Sequence, residues 1–366
     1  MSSFDFYAAT LIVIFGVDLL GAWALNMQYG FAGIPNFAFI LFQAIGAYAA
    51  AVTSLGPTNS SSYQTYLFGA RLPFPVPLLV AAVAGALLAA LIGTFSLRRM
   101  RVDYQAAILL IVSLIVSQVV TADTTLFNGS LGLTNIPRPF ASLINPTSAG
   151  YEWAYGGLVW VLCALVMLIC QRLAKSPWGR ALRAQRDHDA AAASLGLNVT
   201  ALRMQVFVIG GAIAGLSGGL LVYYLQAWSP ASWGYEETFA IFVSVIVGGV
   251  GNNWGVILGT FLVQIVFVEV PTLLPQFGYL GLVNALEWVV IGVLWLACIG
   301  FRPQGLLPER RLRSDRLAAR FGARPGSGRP DLGRPGLGRT GTALSDGPQR
   351  PLPPPVGASS PQTRES

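Results

Sequence analysis

Histidine and lysine each occur once in 366 residues, and cysteine three times. The single histidine, His188, has no serine, aspartate or second histidine at a spacing that makes a catalytic or metal-ligating group, so a membrane enzyme is the least favoured class. Cys163, Cys170 and Cys298 show no CxxC spacing and fall inside apolar runs, where they read as packing residues rather than zinc or redox ligands. No GxxxxGK[ST] occurs, which excludes a P-loop nucleotide site. Charge is scarce at 11% of residues, and no Lys or Arg precedes Arg71. Without a basic n-region or a small-residue cleavage site, the N-terminal apolar stretch is expected to be a first membrane span, not a cleaved signal peptide.

What is abundant is apolar residue: 54% of the chain, with a mean hydropathy of +0.60. A soluble core of ordinary surface-to-volume ratio cannot bury so much. The apolar residues come in runs, and a transmembrane helix needs about 20 of them. Nine runs are expected to be helical, near 7–26, 36–55, 75–97, 104–122, 152–171, 204–226, 238–250, 254–272 and 280–300. The fold class expected is therefore an all-α polytopic membrane protein of nine spans, with eight to ten as the range, since the seventh run is short and bounded by glycine.

The net charge of +7 does not point to nucleic acid, because the basic residues are segregated. Arg98, Arg99 and Arg101 share one loop, six Lys or Arg lie between Arg172 and Arg203, and twelve lie from Arg302 onward. Only Arg71 and Arg138 fall in loops of the opposite side when nine spans alternate. The positive-inside rule then puts loop 172–203 and the C-terminus in the cytoplasm. From residue 311 the composition turns to Gly, Pro, Arg and Ser, so 1–310 is expected to form the membrane domain and 311–366 a disordered cytoplasmic tail. Such an arginine-rich tail suits solvation near anionic lipid headgroups.

One polar island interrupts the apolar chain: GRALRAQRDHDAAAASLGLN, residues 179–198. Ser176 before Pro177 reads as a helix N-cap with proline at N1. Asp187 is expected to cap a second short helix, Asp189 to sit near its positive end, and Gly196 to stop it in a left-handed conformation. Composition alone leaves two readings, a solvated loop or a docking element whose alanines permit close approach and whose charges fix orientation.

The stretch containing Arg186, Asp187, Asp189, Ala190, Ala191, Leu195, Gly196, Leu197, Asn198, Ala214, Gly215, Gly218 and Gly219 resembles the cytoplasmic loop and following helix of LivM-type permease subunits of branched-chain amino acid ABC importers. Three further stretches match in order: LNMQYGFAGIPNFAFILFQAIGAYAAA (25–51), VGGVGNNWGVILGTFL (247–262) and FRPQGLLPER (301–310). The resemblance implies that residues 187–196 form a coupling helix seated in an ATP-hydrolysing partner, through Arg186, Asp187, Asp189, Ala190, Ala191, Ser194, Leu195 and Gly196. It further implies no cofactor in this chain, with ATP used by two separate ATPase subunits. A second, similar permease subunit, an extracytoplasmic solute-binding protein and a bacterial plasma membrane location complete the implied system. Where the family often has Gln-Leu-Ser-x-Gly, this chain has Ile34, Pro35, Asn36, Phe37 and Ala38, so urea or short amides stay open beside branched-chain amino acids as substrate.

Two glycine clusters break apolar runs: Gly30, Gly33 and Pro35 before Asn36, and Gly248, Gly249 and Gly251 before Asn253. The related continuations at 36–41 and 253–258 suggest a vestigial repeat, and interrupted helices in transporters line substrate paths. Close helix packing is the competing reading for each glycine, as for the Gly211/Gly215 pair. Asp18, Glu269 and Glu287 fall within apolar runs, where an ionised carboxylate is costly. Glu287 is the carboxylate assigned to the pathway, and an autonomous proton-coupled transporter using these acids as relays is the alternative from a different class.

Overall fold

The computed structural model describes residues 3–57, 64–99, 102–141, 149–269, 280–302 and 304–309. The tail beyond 310 lies outside the described residues, and so do the side chains of Glu269 and Glu287. The described chain is helical, with no strand beyond two isolated β-bridges, Tyr66 with Phe127 and Leu133 with Trp228.

The helices are α1 (Ser3–Leu25), α2 (Phe39–Ser54), α3 (Val76–Arg99), α4 (Val102–Ala122), α5 (Thr124–Phe127), α6 (Ala149–Lys175), α7 (Pro177–Asp187), α8 (Asp189–Ser194), α9 (Val199–Leu225), α10 (Tyr235–Gly248), α11 (Asn253–Thr260) and α12 (Leu280–Phe301). π-Helical turns extend α1 over Asn26–Phe31 and α11 over Phe261–Glu269. Over its described residues, each of the nine apolar runs carries one of these helices; residues 270–272 lie outside them. Among the described residues, five helical stretches are long and apolar enough to cross a bilayer: Asp5–Phe31, Val76–Leu97, Tyr104–Ala122, Gly150–Lys175 and Val199–Leu225. Phe39–Ser54 and Asn253–Val268 are apolar but shorter, and the apolar stretch Trp288–Cys298 lies within α12. The loop around Pro35 and Asn36 delays the start of α2, and Gly249 separately ends α10 at 14 residues.

α3 carries an outward apolar face. Leu79, Val83, Leu87, Leu91 and Phe95 recur at four-residue spacing and are all exposed. An outward apolar stripe of this kind is stable only in a nonaqueous surround. The opposite face of α3 packs on α9, which is the centre of the molecule and also contacts α1 and α2. Here small residues set the spacing, because lipid offers no hydrophobic gain for helix association and van der Waals fit must supply it. A Cβ placed on Gly215 would come within 2.4 Å of the Ala81 carbonyl oxygen, and one on Gly218 within 1.9 Å of that of Gln43. The packing reading of the Gly211/Gly215 pair is therefore the observed one.

The loops collect at two ends. At one end, Gln64 donates to Thr134 Oγ1 at 2.5 Å, Leu133 pairs with Trp228, and the Gln226 carbonyl accepts from Ile136 at 3.3 Å. Asp123 caps α5 there, accepting from the Thr125 hydroxyl at 2.6 Å and its amide at 2.7 Å, and these bonds hold its carboxyl below the usual pKa. At the other end meet the turn after α1, the α7–α8 segment, the α10–α11 turn and residues 304–309.

Candidate functional site

The polar island begins as expected. Ser176 Oγ accepts from the Gly179 amide at 3.3 Å, and Pro177 stands where no donor is needed. α7 is amphipathic and turns Leu182 and Gln185 inward, leaving Ala184, Asp187 and His188 exposed. The expected cap at Asp187 is not what forms. Asp187 is the last residue of α7, and the junction position is His188, whose extended backbone (φ −153°, ψ 96°) turns the chain without a side-chain cap bond. The carboxylate that does anchor the second helix is Asp189, paired with Arg203 on the first turns of α9.

α8 covers only Asp189–Ser194, about 9 Å at 1.5 Å per residue. Gly196 then adopts φ +81°, the left-handed conformation expected of it, and the Gly196 and Leu197 amides bond to the Ala193 and Ala192 carbonyls at 3.0 and 3.2 Å. Asn198 caps α9 by accepting from the Ala201 amide at 3.0 Å. Ala192 is buried, whereas Ala190, Ala191, Ser194, Leu195 and Gly196 are exposed. Leu195 stands out at 81% exposure. The result is a small, smooth, projecting surface with one large apolar side chain, pinned at its root by an ion pair.

The two glycine clusters lie at this same end and touch each other. Asn26 Oδ1 accepts from the Gly251 amide at 2.9 Å, and its Nδ2 donates to Asn253 Oδ1 at 2.9 Å. A Cβ on Gly30 would come within 2.7 Å of the Gly251 nitrogen. Gly249 has φ +122°, and a Cβ there would lie 2.2 Å from the Leu307 carbonyl oxygen. Asn36 donates to Gln28 Oε1 at 2.7 Å, and Gln28 donates to the Phe207 carbonyl at 3.0 Å, fastening the turn to α9. As packed, Gly30, Gly248, Gly249 and Gly251 make backbone contacts, while Gly33 and Pro35 are half-buried at the rim.

Arg186 joins the two sets of residues that the sequence kept apart. Its guanidinium donates to the Gly30 carbonyl and pairs with Glu309 Oε2 at 2.8 Å and Asp187 at 3.5 Å. Its Cγ lies 3.0 Å from where a Cβ of Gly33 would sit. Arg183 Nε reaches Glu309 Oε1 at 2.6 Å and its guanidinium rests on the Phe31 ring at 5.1 Å. Arg183, Glu309, Asn26 and Gln28 were not singled out from sequence as site residues. The only available signals were the buried polar letters in LNMQYG and the acid closing FRPQGLLPER. Of the membrane carboxylates, Asp18 is half-buried and partnered; Glu269 closes the π-helical turn after α11 and Glu287 lies within α12.

With this geometry in place, comparison with known proteins is informative. The model of the family described as branched-chain amino acid transport system / permease component matches residues 7–299. A probable branched-chain amino acid transport permease protein LivM of Methanocaldococcus jannaschii is 28% identical over 82% of this chain and 93% of its own. The high-affinity branched-chain amino acid transport system permease protein LivM of Escherichia coli is 29% identical over 83% of this chain and 70% of its own. A LivH permease of M. jannaschii is 27% identical over 69% of this chain and 77% of its own. No solved structure gives a significant match. Four ordered sequence motifs, a helical bundle with apolar outer faces and a match spanning nearly the whole described chain agree: the chain belongs to the family of permease components of branched-chain amino acid transport systems.

Proposed function

We propose that the chain is one of two permease subunits of an ATP-driven importer and carries branched-chain amino acids, or a small polar solute like them, across the plasma membrane. The observation that carries this reading is the family match over 7–299, together with relatives described as LivM and LivH permeases of branched-chain amino acid transport. Two ATPase subunits and an extracytoplasmic solute-binding protein complete the assembly, with ATP used by the ATPases. The end that gathers α7, α8 and residues 304–309 is cytoplasmic, which is where the positive-inside rule sends its arginines.

In this mechanism α8 is the coupling helix. Arg186, Asp187 and Asp189 orient it, and Ala190, Ala191, Ser194, Leu195 and Gly196 meet the ATPase. Closure of the ATPases moves α8 and, through α7, the interrupted helices at Gly30, Gly33, Pro35 and Asn36 and at Gly248, Gly249, Gly251 and Asn253, so that the pathway changes its open side. Glu287 of α12 lends polarity to that pathway. Support comes from α8 itself, which projects an apolar Leu195 from a surface otherwise made of small residues.

The test is reconstitution of the assembled importer in liposomes, with uptake and ATP hydrolysis measured together. Leu195→Asp is expected to leave insertion and abundance unchanged, because the side chain touches nothing in its own fold that a charge would disturb. It is expected to cut ATP-driven uptake by about tenfold or more, as for loss of an apolar anchor at the centre of an interface. Unchanged uptake in the variant contradicts the coupling assignment, and uptake by the unmodified chain without ATPase or ATP points to proton-coupled transport instead.

A further inference from the structure

The Glu309 carboxylate meets two arginines of one helix: Arg186 donates a hydrogen bond to Oε2 at 2.8 Å, and Arg183 Nε forms an ion pair with Oε1 at 2.6 Å without hydrogen-bond alignment, the two being three residues apart and hence on one face of α7. Its side chain is 19% exposed, those of Arg183 and Arg186 27% and 23%, so the cluster is shielded from water more than an ordinary surface pair.

The segment bearing Glu309 is itself stitched to the α10–α11 turn. The Leu306 and Leu307 amides donate to the Val247 and Gly248 carbonyls at 2.8 and 3.0 Å, and Asn252 Nδ2 donates to the Leu307 carbonyl at 3.1 Å. Gly251 packs with 3.0 Å between its Cβ position and Glu309 Cδ, and its amide is tied to Asn26. On the other side, Arg186 holds the Gly30 carbonyl, and Arg183 lies on Phe31. Glu309 thus pairs with two arginines of α7 while its own segment is hydrogen-bonded to the α10–α11 turn, and one of those arginines, Arg186, also holds the turn after α1.

We propose that Glu309 is a positioning residue for transport: with Arg183 and Arg186 it makes α7, residues 304–309 and the α10–α11 turn into one rigid strut, which carries displacement from α8 to the interrupted helices. The inference rests on the importer reading and adds to it the route by which force travels. Of the two ways such a cluster works, a latch that opens in each cycle or a strut that stays closed, the geometry points to the strut. Each end of the charged contacts is fixed to an interrupted helix: Arg186 also holds the Gly30 carbonyl and packs on Gly251, and the segment bearing Glu309 is hydrogen-bonded at 306 and 307 to the α10–α11 turn.

The test uses the complete importer, purified as the intact assembly, in proteoliposomes and reads the number of ATP molecules hydrolysed per solute imported, a ratio that a smaller amount of intact importer does not move. Glu309→Gln is expected to raise this ratio about fivefold or more, the lower range of coupling between distant sites. Glu309→Asp, which keeps the charge at shorter reach, is expected to restore part of it. Arg183→Cys with Glu309→Cys, joined by a short thiol cross-linker, is expected to return the ratio toward that of the unmodified importer, since a strut works when fastened. A ratio unchanged in Glu309→Gln overturns the proposal, and a cross-linked form that hydrolyses ATP but imports nothing replaces the strut by a latch. Failure of the unmodified assembly to couple uptake to ATP would instead remove the importer reading.

Discussion

At the scale of single residues, the two demands on a bilayer protein, close packing without a hydrophobic drive and satisfied polar groups, fall on identifiable positions. Gly218 is one: a Cβ there would lie 1.9 Å from the Gln43 carbonyl oxygen, and the neighbour is backbone that cannot rotate away. Gly218→Ala is expected to destabilise the α2–α9 contact by roughly 1–3 kcal/mol, the range for overpacking, seen as a lower unfolding temperature of the detergent-solubilised protein. Gln185 shows the opposite case. Its side chain is fully buried under α7 and neither amide atom finds a hydrogen bond among the described residues. Replacement by an apolar residue of similar shape removes a desolvation cost, so Gln185→Leu is expected to raise the unfolding temperature by an amount equivalent to about 1 kcal/mol. A lowered temperature would mean that the amide has a partner that stabilises it.

At the scale of elements, helix existence was legible and helix endings were less so. Apolar runs declare themselves by their length and composition, five of them long enough among the described residues to cross a bilayer, and Ser176–Pro177 and Gly196 announce their caps through donor chemistry and φ. Asp187 misled because an acid before an alanine run is a good cap in isolation, yet α7 continues through it and the chain turns at His188. The glycine clusters were legible as breaks but not as neighbours. Their junction is made by Asn26, whose side chain bonds Gly251 and Asn253 some 225 and 227 positions away, and no local pattern encodes that. Asn26→Ala would leave the buried Gly251 amide and the Asn253 amide oxygen without their partner. It is expected to cost about 1–3 kcal/mol and to expose the α10–α11 turn to added protease before global unfolding. Cleavage no faster than in the unmodified protein would show that the two breaks are held together by other contacts.

At the scale of the whole molecule, the polar island and the interrupted helices, separate features in the sequence, form one end of the bundle. Arg186 touches both, and Glu309 returns from the far end of the chain to bind it. On the importer reading proposed above, this end is where the motion of an ATPase enters, since the sequence has no nucleotide motif of its own. Solute identity is the least legible property, because the family match concerns a scaffold and function resides in the site built on it. The measurement that tests the central claim most directly is mass spectrometry of what co-purifies with the chain after gentle extraction from its native membrane. An ABC ATPase and a second, similar permease in stoichiometric amounts are the predicted result. A chain recovered alone, and moving solute in liposomes without ATP, would contradict it.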